Sequence, residues 1–246
     1  MDAVDEIFAG SEEEQIGNAD AGQIYRVTNM GIVGRVNYDY QSKYLAEVSF
    51  RYDGSSKFAK GHRWGFFPSA SVGYRISEES FIKEFAPLSF ITNWKLRASY
   101  GAMGDDGSSS YQYLSGYDYP GASYVFGDVV YKGLGFRGLP NELITWYKSK
   151  TLNVGTDLDL WNGMLSAQVD FFWRYRDGLL GKRSGEVPGT IGAELPEENL
   201  NQDLYKGFEI VLGHRNKIND FNYSVSLNFA LTRRQNRHLE EGDAVN

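Results

Sequence analysis

Three histidines, His62, His214 and His238, are the only imidazoles in the 246-residue chain, and there is no cysteine. They lie far apart and none has metal-type His spacing; Ser and Asp are abundant, so a hydrolase with a Ser/His pair is conceivable, but no motif supports one. Lack of cysteine removes disulfides and thiolate metal ligands. Asp105-Asp106-Gly107 and Asp118 carry the oxygen ligands that Ca²⁺ takes. No twelve-residue ligand pattern surrounds them, so a plain Asp/Gly turn is expected. The densest group of chemically capable side chains is Tyr111, Tyr113, Tyr117, Tyr119, Tyr124 and Tyr131. Such rings stack on sugars or contact a protein partner, and they also pack a loop onto its own base. We expect no catalytic residue, no metal and no cofactor, and take these six tyrosines as the candidate substrate or partner contacts.

Those tyrosines need a frame, and the clearest one runs from Thr151 to Tyr175. Leu152, Val154, Thr156, Leu158 and Leu160 occupy even positions against Asn153, Gly155, Asp157 and Asp159. After Asn162-Gly163 the apolar set moves to odd positions: Leu165, Ala167, Val169, Phe171, Trp173 and Tyr175. Asn-Gly favours a two-residue type I′ hairpin because both central residues need positive φ. Folding there sets Leu160 opposite Leu165, Leu158 opposite Ala167, Thr156 opposite Val169 and Val154 opposite Phe171. The parity switch keeps one apolar face on both strands.

The same pattern repeats along the chain. Residues 1–30 are polar and acidic, with Glu12-Glu13-Glu14, and read as a solvated loop with a short helix near Val4 to Phe8 as the other option. Ile32, Gly34, Val36, Tyr38 and Tyr40 alternate with Val33, Arg35, Asn37 and Asp39; a three-residue turn at Gln41-Ser42-Lys43 preserves parity into Tyr44, Ala46, Val48, Phe50 and Tyr52. Phe66 to Ile76 forms a third strand whose Pro68 suggests an edge or bulge at its start. Ser77 to Phe85 reads as a Ser-capped helical turn with Glu78 and Glu79 near its N-terminus. Trp94, Leu96, Ala98 and Tyr100 mark a fourth strand. Residues 101–143 lack clear periodicity. Lys206 to Arg215 and Phe221 to Phe229 form a last hairpin, in which a turn around Asn216 to Asn219 would pair Leu212 with Tyr223 and Ile210 with Val225. The expected organisation is 1–30 loop, 31–232 β domain and 233–246 charged tail or loop.

Seventeen Tyr, fifteen Phe, five Trp and 28 Gly against six Pro suit many strands and turns. With a net charge of −7 and no basic run, a nucleic-acid partner is not expected. No stretch reaches 18 consecutive apolar residues, so no transmembrane helix is expected, and no signal peptide begins at Met1. Eight amphipathic strands alternate between short connections (41–43, 161–164, 216–219) and long ones (53–63, 101–147, 177–205), with 77–93 of medium length in the short series. All long loops then lie at one end, as in an outer-membrane barrel. A soluble sandwich shares the alternation, since it too buries one face of each sheet. Strand length, about 9–12 residues, suits a bilayer crossing better than the usual strand of about 5–6. Aromatics cluster at both ends: Tyr40, Tyr44, Trp94 and Trp161 by the short turns; Phe50, Tyr52, Phe66, Tyr100, Trp146, Tyr147, Trp173 and Tyr175 by the long loops. Two such belts are expected at the bilayer interfaces, although the same rings would also fill a sandwich core.

Specific runs narrow the choice. Gly34-Arg35-Val36-Asn37-Tyr38-Asp39-Tyr40, Arg51-Tyr52-Asp53-Gly54-Ser55-Ser56-Lys57-Phe58 and Arg63-Trp64-Gly65-Phe66-Phe67-Pro68-Ser69 resemble the SusC/RagA-like TonB-linked outer-membrane transporters of Bacteroidetes. So do Lys95-Leu96-Arg97-Ala98-Ser99-Tyr100-Gly101, Thr151-Leu152-Asn153-Val154-Gly155, Val187-Pro188-Gly189 with Leu195-Pro196-Glu197-Glu198-Asn199, and Lys206-Gly207-Phe208-Glu209. The resemblance covers about residues 30–232 in the family's order. Tyr147 stands where the family usually has Glu, and Tyr205 where Asn is common. The resemblance implies an all-β, antiparallel up-and-down transmembrane barrel segment of about eight strands, a piece of a larger plugged barrel's later half. Neither plug nor TonB box is found among these residues. It further implies uptake of oligosaccharide or peptide cargo with a SusD-like lipoprotein, powered through the TonB complex, in the bacterial outer membrane. The short turn at Asn162-Gly163 is then periplasmic. Leu152, Val154, Leu158, Leu160, Leu165, Val169, Phe171 and Trp173 form a lipid-facing wall, and Asp157, Asp159, Gln168 and Asp170 face the lumen. A surface-exposed β-sandwich of adhesin type, binding without transport, is the alternative.

Overall fold

A computed structural model describes residues 27–136, 138–183 and 195–239. The acidic N-terminal segment, its optional helix and the Val187-Pro188-Gly189 run lie outside the described residues. Eight long strands form one antiparallel sheet: β1 (Asn29–Tyr40), β2 (Tyr44–Ser55), β3 (Trp64–Arg75), β4 (Ile91–Asp105), β7 (Tyr147–Leu160), β8 (Leu165–Lys182), β9 (Glu197–Ile218) and β10 (Phe221–His238). Each pairs with its predecessor in the order β1-β2-β3-β4-β7-β8-β9-β10. Two further strands, β5 (Tyr117–Phe126) and β6 (Val129–Phe136), make a separate hairpin inside the long β4–β7 connection. That hairpin escapes the sequence reading, which treats 101–143 as aperiodic.

Cross-strand partners share a face, and the registers carry the apolar rows across the whole sheet. Val154 faces Ala98 on one side and Phe171 on the other, then Phe208 and Leu231 follow. Phe171, Phe208 and Phe229 pack as tilted rings in a diagonal, with centroids 6.1 and 5.7 Å apart. The opposite face carries Asp157, Gln168, Asp170, Glu209 and Asn228. A sandwich would need a second sheet over the apolar face. Among the described residues the only other sheet is the β5–β6 hairpin.

The hairpin at 161–164 keeps the expected register, Leu160 to Leu165 through Val154 to Phe171. Its turn differs in detail: Trp161, Asn162 and Gly163 all have positive φ (47°, 55° and 76°), giving two overlapping tight turns in place of one. Trp161 tolerates this geometry while its ring stacks on Phe90 at 5.5 Å. The β9–β10 turn must be corrected. Asn219 (φ 54°) and Asp220 make a two-residue turn, so Leu212 pairs with Leu227 and Ile210 with Phe229. The expected pairing was out by four residues, an even shift that leaves every side chain on the same face. Pro68 pairs only with β2, because β3 meets β4 from Ser69 onwards; its missing N–H costs no ladder bond there.

Two belt assignments also change. Trp146 precedes β7 and is buried, and Tyr147 lies on the polar face, its hydroxyl donating to Asp105. Neither joins the outer aromatic row, where Tyr52 stacks on Trp64 and Phe50 tilts against Phe66.

The 76–90 connection forms a 3₁₀ turn, the four-residue helix α1 (Ser80–Lys83) and a second 3₁₀ turn. Its N-cap is Glu79 and not a serine, and no side chain caps it. The Glu79 carboxylate instead accepts from Lys43 Nζ (3.1 Å) and from the Tyr44 and Tyr74 hydroxyls (3.2 Å each). The Lys43 bond, followed by those hydroxyls, holds the Glu79 carboxyl below its ordinary range despite partial desolvation. A lowered carboxylate stabilises the fold above its unfolded pKa, and that contribution disappears as pH falls through the folded value. Amide protection over 76–90, corrected for intrinsic exchange, should therefore drop as pH falls below about 4.5. Glu79→Gln should reduce that step to the remainder from Glu78, which Lys83 holds down in the same way.

Candidate functional site

The polar face is organised by arginines that reach across strands. Arg97 on β4 has Gly155 as its direct neighbour on β7. A Cβ on Gly155 would stand 3.1 Å from the Arg97 guanidinium carbon and 2.6 Å from Asp170 Oδ1. The glycine lets the guanidinium lie over β7 and grip Asp170 on β8 with two bonds, Nη1 to Oδ1 at 2.7 Å and Nη2 to Oδ2 at 2.6 Å. Arg97 Nε also donates to Asp157 Oδ1 at 3.0 Å, and one step down Asn93 Nδ2 donates to Asp159 at 3.1 Å. Three strands are tied through one side chain.

Higher up, Asp203 on β9 is 1% exposed. Arg176 of β8 donates to both its oxygens, and Arg234 Nε of β10 donates to Oδ2 at 3.0 Å. The Tyr205 ring lies 4.8 Å from the Arg176 guanidinium and 5.8 Å from that of Arg234. Planar guanidinium forks suit both the carboxylate and the ring. Sequence reading put Asp157, Asp159 and Asp170 on this face but found neither arginine network; opposite parity in register was the available signal.

At the long-loop end, Phe58, Phe67, Ile144 and Trp146 form the buried apolar cluster, with Leu180 against it. Gly65 and Gly104 flank the Phe67 ring and leave it room. Polar bonds lock the same junction. Trp146 Nε1 donates to the Arg63 carbonyl (2.9 Å) and Thr145 Oγ1 to that of His62 (3.0 Å). Asn199 exchanges bonds with the Thr145 backbone at 2.9 and 3.0 Å. Connections 56–63 and 138–146 and the top of β9 are thus one unit.

The six tyrosines divide. Tyr111 and Tyr113 pack edge to face at 6.1 Å near the base, and the Tyr111 N–H donates to the Lys57 carbonyl. Tyr117, Tyr124 and Tyr131 are more than half exposed on the hairpin, among exposed Val125, Phe126 and Val130. Tyr124 and Tyr131 are direct cross-strand partners, and Tyr117 meets Phe136 edge-on. Tyr119 is half-buried on β5. The Asp/Gly turn forms as expected, with the Gly107 N–H on Asp105 Oδ1 at 2.7 Å. Asp106 is occupied by Ser55 Oγ (2.8 Å) and sits 3.7 Å from Lys57 Nζ. His214 Nε2 shares a 3.0 Å bond with the Tyr223 hydroxyl, and the three histidines lie on separate parts of the sheet and loops.

A family model described as TonB dependent receptor-like, beta-barrel, matches residues 6–246. TonB-dependent receptor P3 of Formosa agariphila is 34% identical over 87% of this chain and 21% of its own length. TonB-dependent receptor SusC of Bacteroides thetaiotaomicron is 31% identical over 89% of this chain and 22% of its own. A structure of the RagAB peptide importer superposes with a TM-score of 0.73 at 24% identity, over 87% of this chain and 23% of that one. The chain thus spans about a fifth of the length of the curated relatives it matches. An open antiparallel meander, a matched model over nearly all its length and SusC-like relatives agree: the chain belongs to the TonB-dependent receptor β-barrel family, SusC-like, of the bacterial outer membrane.

Proposed function

We propose that this chain is a wall of the barrel of a SusC-like nutrient importer. It would take up glycan or peptide cargo with a SusD-like lipoprotein, powered by TonB through parts of the receptor outside these residues. The observation that carries the reading is the continuous apolar face of the eight-strand meander with its long connections gathered at one end. Leu152, Val154, Leu158, Leu160, Leu165, Val169, Phe171 and Trp173 face lipid, and the arginine networks stiffen the lumen wall. Residues 31–232 act as barrel, with β10 continuing to His238.

The β5–β6 hairpin is the contact element for cargo or lipoprotein. Its exposed Tyr117, Tyr124 and Tyr131 present rigid amphipathic rings of the kind enriched in binding surfaces. Replacing residues 117–136 with a short Gly/Ser link should leave the heat-modifiable barrel intact. Cargo uptake or lipoprotein co-purification should fall about tenfold or more, as when a hot-spot cluster is removed. Unchanged values for both would overturn the contact role.

A further inference from the structure

The apolar face is not apolar to its end. Above Leu152 and Phe171, the outward positions of β7, β9 and β10 become Lys150, Lys206 and Arg233, set around Trp173 and Tyr175. Trp173, Lys206 and Arg233 are consecutive partners in one cross-strand row, and Lys150 pairs with Tyr175 in the next. Lys206 and Arg233 are thus like charges directly opposite each other, an arrangement that destabilises a sheet by itself. Among the described residues none of the three cations has a hydrogen bond or ion pair to a carboxylate. Asp177, the outward acid on β8, faces Lys148 and accepts from Gln202 Nε2 at 2.8 Å. At the same end of the sheet, β1 to β4 carry no cation outward: Met30, Ile32, Tyr52, Phe66, Tyr100 and Ala102 stand there. The charge is confined to one side of the wall.

Height places the patch. Lys206 lies twelve residues above Ile218 at the short-turn end of β9. At about 3.3 Å per residue and a tilt of about 40°, that is about 30 Å of rise, just over an apolar band of about 25 Å. Given the lipid-facing reading proposed above, on which this inference rests, the cations meet the headgroup layer of the outer leaflet beside Trp173 and Tyr175. We propose that Lys150, Lys206 and Arg233 form a binding site for the phosphate groups of an outer-leaflet glycolipid. The Lys206 ammonium and the Arg233 guanidinium fork on one phosphate relieve their mutual repulsion and supply charge-assisted bonds. Lys150, on the far side of β8, meets a second phosphate of the same lipid. The flanking rings rest on the sugar and upper acyl region.

The receptor carrying this segment, purified in detergent, is titrated with diphosphorylated lipid A and with the same lipid dephosphorylated. Wild-type protein should bind the phosphorylated lipid in a salt-sensitive way. The K150Q/K206Q/R233Q variant should bind it at least about tenfold more weakly, since each cation near a lipid surface contributes measurably. The charge-preserving K150R/K206R/R233K variant should retain binding, and the dephosphorylated lipid should bind all three proteins alike. Equal binding of phosphorylated lipid A to wild type and the glutamine variant overturns the site. A bimane at Val154→Cys, in bilayers with brominated acyl chains, separates the two readings. Quenching there with no phosphate dependence removes only the headgroup site, whereas no quenching removes the lipid-facing wall and the site with it.

Discussion

Val154→Arg should leave little assembled barrel in the outer membrane, while Gln168→Arg should assemble at near wild-type levels. Val154 stands in the middle of the apolar face, with Ala98 and Phe171 as its cross-strand partners. It lies six residues above Leu160 at the turn end of β7, about 15 Å of rise after tilt and close to the centre of an apolar band of about 25 Å. An arginine facing lipid at the midplane costs about 2–4 kcal/mol, falling to about 0–1 near the interfaces. Gln168 occupies the other face, opposite Asp157, where a new guanidinium meets a carboxylate and water. Its change should stay within about 0.5 kcal/mol, as for an ordinary exposed position. Heat-modifiable mobility on gels and outer-membrane fractionation read both variants. Equal assembly of the two would show that Val154 does not face lipid.

That contrast is legible in the amino-acid sequence alone, because facing depends only on period-two parity and the parity of the turn. Both hairpins whose turns carry a clear signal, Tyr40 to Tyr44 and Leu160 to Leu165, have their expected registers. The β9–β10 register is less legible because Asn216 and Asn219 both suit a turn, and an even slip keeps Leu212 and Ile210 apolar-side whichever is chosen. Strand tops are hidden for a related reason. Beyond the apolar band, β8 and β9 stay hydrogen-bonded as far as Lys182 and Glu197, yet both faces meet water or loops there and alternation fades. The β5–β6 hairpin, exposed on both sides, has no alternation to show. Trp146 is misplaced by parity because the pattern continues on paper past Tyr147, whereas the chain leaves the sheet to fill the pocket beside Phe58 and Phe67. The Arg97–Asp170 grip is beyond local reading altogether. It needs β7 to lie beside β4 across the whole 106–146 connection, and it needs a glycine at 155 in between.

Asp203→Ala should be the most destabilising single change on the polar face. The carboxylate is 1% exposed and is the shared acceptor for Arg176 and Arg234. Its removal leaves two guanidiniums, on the strands either side of β9, without their anion and against the Tyr205 ring. Breaking a buried pair by deleting one partner costs about 3–5 kcal/mol, mainly through the charge left behind. Arg234 is half exposed and can turn to water, so about 3 kcal/mol, the lower end of that range, is expected. Asp203→Asn keeps the shape and one acceptor oxygen and should cost less, about 1.5–3 kcal/mol for a weakened bond to a charged group. The decisive comparison is a charge-free combination, Asp203→Leu with Arg176→Met and Arg234→Met. If the cost of Asp203→Ala comes from stranded charge, this triple variant should be more stable than Asp203→Ala despite carrying two more substitutions. If it comes from lost packing at the β8–β9–β10 junction, the triple variant should be the less stable of the two. Equilibrium unfolding of the refolded barrel in lipid vesicles, followed by tryptophan emission, distinguishes these orders. An Asp203→Ala barrel within about 0.5 kcal/mol of wild type would mean that the two arginines are already satisfied by lumen water, and that the network orients the wall without stabilising it.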